Sequence, residues 1–160
     1  MLVVQTSRAQ VSPVNEMSDK EKLIKTAGVL EEHPLDEKAK ELRQWAMLYV
    51  IQTPDVSVTV CTNAILPAMD KKYKYGSELL TQYTIGMAAF KLSNPGAAKN
   101  EDAAQLAGVE SLLRAYQAMV KEKPKAQWAG LDELVARKNN GELTKYLDEN
   151  KCKDDKGSGK

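Results

Sequence analysis

Two consecutive segments with helical spacing, residues 77–92 and 101–122, constrain the fold of this chain most strongly. In the second segment apolar residues recur at every third or fourth position, and charged residues occupy the opposite side. This pattern is typical of an amphipathic helix packed on a core. Because Asn94-Pro95-Gly96 separates the two segments, they predict an αα-hairpin of two antiparallel helices.

Gly86 and Gly108 lie at similar distances from the centre of this connection, one in each predicted helix. Inside a helix each glycine costs about 1 kcal/mol relative to alanine, so the pair needs a structural reason. Ala89, Ala104 and Ala107 extend the same strip of small residues. We therefore expect the two helix backbones to approach closely at these glycines; the alternative is that the two glycines are unrelated and tolerated.

Helical patterns elsewhere in the chain predict an all-α fold. A capping box at Ser18 begins a helix over about 19–32. A second helix, over about 37–52, is apolar nearly all round in its second half, which is typical of the central helix of a domain. Two shorter patterns follow Pro124. Together these patterns predict a single-domain antiparallel bundle of five to seven helices built from helical hairpins.

We place the helical domain at residues 18–150. Residues 1–17 have no sustained periodicity and include Pro13, so we interpret them as a flexible N-terminal arm. Their first ten residues resemble the end of a secretory signal but lack its full apolar core, which leaves a frayed terminus or a signal remnant as alternatives. Residues 151–160 are charged and contain glycine, so we expect a flexible C-terminal tail.

The segment from Thr53 allows two interpretations. Thr53, Pro54 and Asp55 form a coherent helix start, with a cap, a proline in the first turn and an acidic residue at the positive helix end. Residues 56–60, Val-Ser-Val-Thr-Val, alternate as a half-buried strand would. Because a lone strand would have no partner in the chain, we predict a helix from Pro54 that is kinked or ended by Pro67.

The two cysteines, Cys61 and Cys152, are 91 positions apart. This spacing is too long for a local zinc motif, and no histidine supports a thiol nucleophile. A disulfide here would contribute about 4 kcal/mol and would indicate a protein outside the reducing cytosol, either periplasmic or secreted. The alternative is a buried Cys61 and an incidental thiol in the tail, which would leave a cytoplasmic location open.

The sequence offers few residues for catalysis or metal binding. Its single histidine, His33, lies at a helix end before Pro34, without a nucleophile motif nearby. We therefore predict no catalytic residue, no metal and no cofactor. The 23 basic and 22 acidic residues nearly cancel, so no nucleic acid is expected, and the longest apolar run is far short of the roughly 20 residues of a transmembrane segment.

One loop mixes basic and aromatic residues densely: Lys72, Tyr73, Lys74 and Tyr75. Such a mixture suits backbone contacts with base stacking on nucleic acid, or an interfacial anchor. The alternative is a solvated loop whose tyrosines fold back onto the bundle. Our first functional hypothesis is a non-catalytic interaction or scaffold protein that holds a peptide or protein partner, either at this loop or in a groove between hairpins.

A carrier of a small apolar ligand is the second hypothesis, and an enzyme that uses carboxylate and tyrosine groups is the third. In the carrier, large side chains of the bundle would line a pocket. The candidate lining residues are Trp45, Tyr49, Tyr83, Met87, Phe90 and Tyr116. The alternative for these residues is an ordinary core.

Three helix endings, at residues 27–34, 88–95 and 118–124, resemble the end of the second helix in tetratricopeptide-type repeats. The spacings between their prolines are unequal, and the tryptophan-leucine-glycine-tyrosine signature of the first repeat helix is missing. We therefore assign the chain to no family on this pattern.

Overall fold

The computed structural model describes residues 17–152, and every regular element in that range is helical. The α-helices are α1 (Asp19–Glu32), α2 (Ala39–Gln52), α3 (Gly76–Ser93), α4 (Glu101–Glu122), α5 (Ala129–Asn139) and α6 (Leu143–Glu149). Three short 3-10 segments, Thr62–Met69, Pro95–Ala97 and Pro124–Ala126, lie between them. The predicted all-α class is thereby confirmed. The predicted arm and tail lie outside the described residues, apart from Met17, Lys151 and Cys152.

The predicted capping box at Ser18 is confirmed. The Ser18 hydroxyl accepts a hydrogen bond from the backbone N–H of Glu21 at 3.3 Å, and the Ser18 N–H donates to the Glu21 carboxylate at 2.9 Å. The bond from the Ser18 backbone favours the charged carboxylate and lowers the pKa of Glu21. Asn100 caps α4 in a similar way, by accepting from the N–H of Ala103 at 3.0 Å.

The close approach of α3 and α4 is also confirmed. A Cβ atom added to Gly86 would lie 2.5 Å from the Cβ of Ser111 and 3.3 Å from the Cα of Gly108. One added to Gly108 would lie 2.8 Å from the carbonyl oxygen of Tyr83. Nearer the connection, Lys91 of α3 pairs with Glu101 of α4, so the two helices run antiparallel. We call this contact the glycine seam.

Helix α3 occupies the centre of the structure, because it contributes to both hydrophobic clusters. Tyr83 and Met87 belong to the cluster shared with α4, α5, α6 and Thr62–Met69. Ile85 and Leu92 belong to the cluster shared with α1 and α2. The expectation that residues 37–52 form the central helix is wrong: α2 buries Ala39, Ala46 and Val50, whereas α3 buries ten residues. The apolar far side of α2 stays exposed, with Leu48 and Ile51 on the surface.

The helix predicted from Pro54 is wrong for residues 54–61, which form neither a helix nor a strand of a sheet. Helix α2 ends because Thr53 adopts an extended conformation, with φ −73° and ψ 138°. The β-branched run that follows favours an extended backbone over a helix. A 3-10 segment begins only at Thr62, and it contains Pro67 instead of ending there.

Cys61 and Cys152 form a disulfide, with their sulfur atoms 2.09 Å apart. Cys61 is fully buried, and Cys152 is exposed at the end of the described residues. The disulfide therefore ties the chain after α6 to the end of the irregular segment 54–61.

Candidate functional site

A groove between the loop that precedes α3 and the connection between α4 and α5 contains the whole predicted interaction loop. Its volume is about 650 Å³, within the range of ligand and peptide sites. Its lining residues are Lys72, Tyr73, Lys74, Tyr75, Glu122, Lys123, Pro124, Lys125, Gln127 and Trp128. We call it the basic–aromatic groove.

The first wall is fixed by a turn at Asp70. The Asp70 side chain accepts from the N–H of Lys72 at 2.8 Å, and its backbone carbonyl accepts from the N–H of Tyr73 at 2.9 Å. The loop then enters α3 at Gly76, where an added Cβ would lie 2.4 Å from the carbonyl oxygen of Ala68. A glycine is needed there because the loop packs against the 3-10 backbone with no room for a side chain.

The second wall is fixed by the buried hydroxyl of Tyr116. This hydroxyl accepts from the N–H of Trp128 at 2.8 Å and donates to the Asp132 carboxylate at 2.6 Å. The side-chain amide of Gln127 donates to the other oxygen of Asp132 at 2.8 Å. Burial, followed by the bond to Asp132, raises the pKa of Tyr116 to about 12, so the hydroxyl remains a donor at ordinary pH.

Aromatic rings join the two walls at the base of the groove. The ring of Tyr73 lies 5.3 Å from that of Trp128 and 6.0 Å from that of Tyr75, between ring centroids. Tyr73 is only 6% exposed, and its hydroxyl has no hydrogen-bond partner among the described residues. Burial raises the pKa of Tyr73 well above its usual value. The base of the groove is thus an aromatic surface that contains one buried hydroxyl without a partner among the described residues.

The rim of the groove is strongly positive. Four lysines, Lys72, Lys74, Lys123 and Lys125, line it with exposed side chains, and Glu122 is the only acidic residue among its lining residues. The ammonium of Lys74 lies 5.6 Å from the centroid of the Tyr75 ring. This local excess of positive charge contrasts with the net charge of +1 for the chain. Anionic groups are therefore the ligands that this surface favours.

The six large side chains proposed for a carrier lie in separate places. Trp45 and Tyr49 stack on each other on α2, with ring centroids 5.8 Å apart. Tyr83, Met87 and Tyr116 are buried in the cluster around α4. Phe90 lines a shallow cleft between α1, α3 and α4. The carrier hypothesis stays a prediction, and no shared pocket among these side chains supports it.

Sequence reasoning found the first wall of the groove and missed the second. The missed residues, 121–128, read Lys-Glu-Lys-Pro-Lys-Ala-Gln-Trp, with three lysines and one aromatic residue, which is a sparser mixture than in the loop before α3. Their mixture of lysines with an aromatic residue could have indicated the second wall from the sequence. Their position opposite Tyr73 depends on the lengths and packing of α3 and α4, which composition does not encode.

Other site types have little support within residues 17–152. No group of three or more histidine, cysteine, aspartate or glutamate side chains in this range is arranged to hold a metal ion. The His33 side chain is largely exposed beside Glu32. None of the described helices combines the length and the apolar character needed to cross a membrane.

Comparison with known proteins gives no relative: no family model, curated protein or solved structure matches the chain. The functional argument therefore depends on the geometry of the groove.

Proposed function

We propose that this chain is a non-catalytic interaction protein that holds an acidic peptide segment of a protein partner in the basic–aromatic groove. The observation that carries the proposal is the meeting of four exposed lysines and a buried aromatic base in one cavity of about 650 Å³. Carboxylates of the peptide would contact the lysines, and an apolar side chain would cover the Tyr75 and Trp128 rings.

The groove supports a peptide better than a nucleic acid for two reasons. Bases bind single-strand sites by stacking on exposed ring faces, but Tyr73 is buried between Tyr75 and Trp128. Moreover, basic and acidic residues nearly balance over the whole chain, so the excess of lysines in this groove is local. A peptide with a few carboxylates matches this limited patch.

The test is fluorescence anisotropy with three labelled probes: a short Glu-rich peptide with one central aromatic residue, its Gln-substituted analogue, and a single-stranded oligonucleotide. We expect the acidic peptide to bind, with an affinity that falls as salt rises, because exposed charge pairs are screened. The double variant Lys74→Gln/Lys125→Gln should weaken binding about threefold to tenfold.

The matched control is Lys20→Gln/Lys25→Gln, which removes two exposed lysines from α1, away from the groove. Its affinity for the acidic peptide should equal that of the unmodified protein. Tighter binding of the oligonucleotide, equal binding of the Gln analogue, or equal losses in the two double variants would each overturn the proposal.

We further propose that residues 18–150 form one domain, an antiparallel bundle of helical hairpins, that works outside the reducing cytosol as a periplasmic or secreted protein. The disulfide supports this location, because such bonds persist in oxidising compartments. Thiol titration of the protein, purified without reductant and unfolded in denaturant, should find no reactive thiol. Two reactive thiols would remove the support for export.

A further inference from the structure

The Val-Ser-Val-Thr-Val segment, residues 56–60, runs alongside α3 and is held by two side chains of that helix. The ammonium of Lys91 donates to the carbonyl oxygen of Ser57 at 2.7 Å, and the Tyr83 hydroxyl donates to that of Cys61 at 3.3 Å. The eight-residue step from Tyr83 to Lys91 spans about 12 Å in an α-helix, and the four-residue step from Ser57 to Cys61 spans about 13 Å in an extended chain. The two bonds therefore match an extended chain that lies antiparallel to α3.

The far edge of this segment is unpaired. In an extended chain, successive amide groups point to opposite edges, so the N–H and C=O groups of Val56, Val58 and Val60 point away from α3. Within residues 17–152 none of these groups has a hydrogen-bond partner. Side-chain burial alternates over residues 56–59, where Val56 and Val58 are half-buried and Ser57 and Thr59 are exposed, and Val60 is exposed as well. The segment therefore has the features of a strand with one free edge.

The surface around this segment is apolar and uncharged. A groove of about 660 Å³ lies between the segment, α2 and α3, and no charged side chain lines it. Ile51 and Val60, which both line it, are 73% and 42% exposed. It shares no lining residue with the basic–aromatic groove. An unpaired edge beside exposed apolar side chains is a surface that another extended chain can cover.

The sequence of the segment complements itself. In an antiparallel pair centred on Val58, this residue lies opposite itself, Val56 lies opposite Val60, and Ser57 lies opposite Thr59 of the second copy. All three residues whose amide groups point away from α3 then fall in hydrogen-bonded pairs, and all valines share one face. A two-fold axis brings each surface against its own copy, so a neutral surface avoids the repulsion that a charged one would meet.

We propose that residues 56–60 pair with the same residues of a second copy of this chain, which forms a homodimer with a two-stranded antiparallel sheet across its two-fold axis. The valines of the two strands share one face of this sheet, and the free amide groups of Val56, Val58 and Val60 are paired in it. The basic–aromatic groove stays open, so the inference is independent of the proposed function.

The first test is light scattering of the full chain during size-exclusion chromatography over a range of concentrations. We expect a dimer that dissociates on dilution. Val60→Lys should leave only monomer, because its ammonium would be placed against Val56 of the second copy. Thr59→Lys is the matched control and should keep the dimer, because the Thr59 side chain lies on the exposed face.

The second test is amide hydrogen exchange of the unmodified protein, which remains decisive if Val60→Lys fails to fold. The amides of Val56, Val58 and Val60 should be protected at concentrations that favour the dimer and should lose that protection on dilution. An unmodified protein that is monomeric at its highest soluble concentration would overturn the proposal. So would protection of these amides in a monomer, or equal dissociation of the two lysine variants. An unmodified monomer that binds an unrelated extended peptide along this edge would assign the surface to a different partner.

Discussion

Helix α3 is contacted by α4 along one side and by the chain around residues 54–61 along another, and different forces hold the two contacts. At the glycine seam, Gly86 and Gly108 let two helices touch almost backbone to backbone. Both partners are regular helices whose own hydrogen bonds are satisfied. The irregular segment has no such internal bonds, and it is held by Lys91, by the Tyr83 hydroxyl and by the disulfide at Cys61.

The difference shows how each contact should respond to a substitution. The seam depends on the absence of atoms, so adding one methyl group should damage it. The segment depends on a few specific bonds, so removing one of them should loosen it. Variants that add atoms at one contact and remove bonds at the other therefore test the comparison directly.

Removing the disulfide should have the largest effect. Cys152→Ala opens a loop closed over 91 positions, which should lower the free energy of unfolding by about 4 kcal/mol. Urea denaturation followed by circular dichroism measures this loss. A reductant should destabilise the unmodified protein by a similar amount and leave Cys152→Ala unchanged. A reductant without effect on the unmodified protein would contradict the assigned role of the disulfide.

Adding a methyl group at the seam should have the next largest effect. The Cβ of Gly108→Ala would lie 2.6 Å from Cγ of Met87 and 2.8 Å from the backbone oxygen of Tyr83. The backbone atom cannot move aside cheaply, so we expect a loss of about 1–3 kcal/mol in the free energy of unfolding, measured by urea denaturation.

Gly28→Ala in α1 is the matched control for the seam. An added Cβ there would meet no atom within 4 Å, so the higher helix propensity of alanine should raise stability by about 0.5–1 kcal/mol. Opposite signs for the two glycine variants would support the seam. A stabilising Gly108→Ala would show that α3 and α4 separate at little cost.

The two contacts also differ in how far sequence predicts them. The seam follows from residue size and helical spacing, because Gly86 and Gly108 fall at matching distances from a short connection. For the irregular segment the β-branched run 56–60 offered an extended chain as the alternative to a helix. The bonds to Lys91 and Tyr83 that hold it beside α3 could not be predicted, because those residues lie more than twenty positions away. Local signals at Pro54 favoured a helix that the tertiary bonds do not support.

The two walls of the candidate site also differ in how far the sequence predicts them. The composition of the loop before α3 predicted one wall of the basic–aromatic groove. The opposite wall depends on the hydroxyl of Tyr116, which binds the backbone of Trp128 and the carboxylate of Asp132. Sequence reasoning placed Tyr116 in a ligand pocket because a pattern of large apolar residues does not reveal which hydroxyls find buried partners.

Removing a single hydroxyl should have the smallest effect on the free energy of unfolding. It tests directly whether that hydroxyl holds residues 54–61 beside α3. Tyr83→Phe deletes the donor to the Cys61 carbonyl, which should cost about 1 kcal/mol and increase amide exchange in residues 54–61. Tyr73→Phe deletes a buried hydroxyl that has no partner among the described residues. Its removal should leave stability unchanged or slightly higher, because an unsatisfied polar group no longer has to be buried.

Both variants keep the ring and its packing, so urea denaturation and hydrogen exchange compare the hydroxyls alone. If Tyr83→Phe costs nothing and leaves exchange in residues 54–61 unchanged, its hydroxyl does not hold the segment, and packing of Val58 against both hydrophobic clusters accounts for its position. If Tyr73→Phe costs as much as Tyr83→Phe, the Tyr73 hydroxyl has a bound partner in solution. Because Tyr73 lines the basic–aromatic groove, that partner would lie at the base of the proposed peptide site.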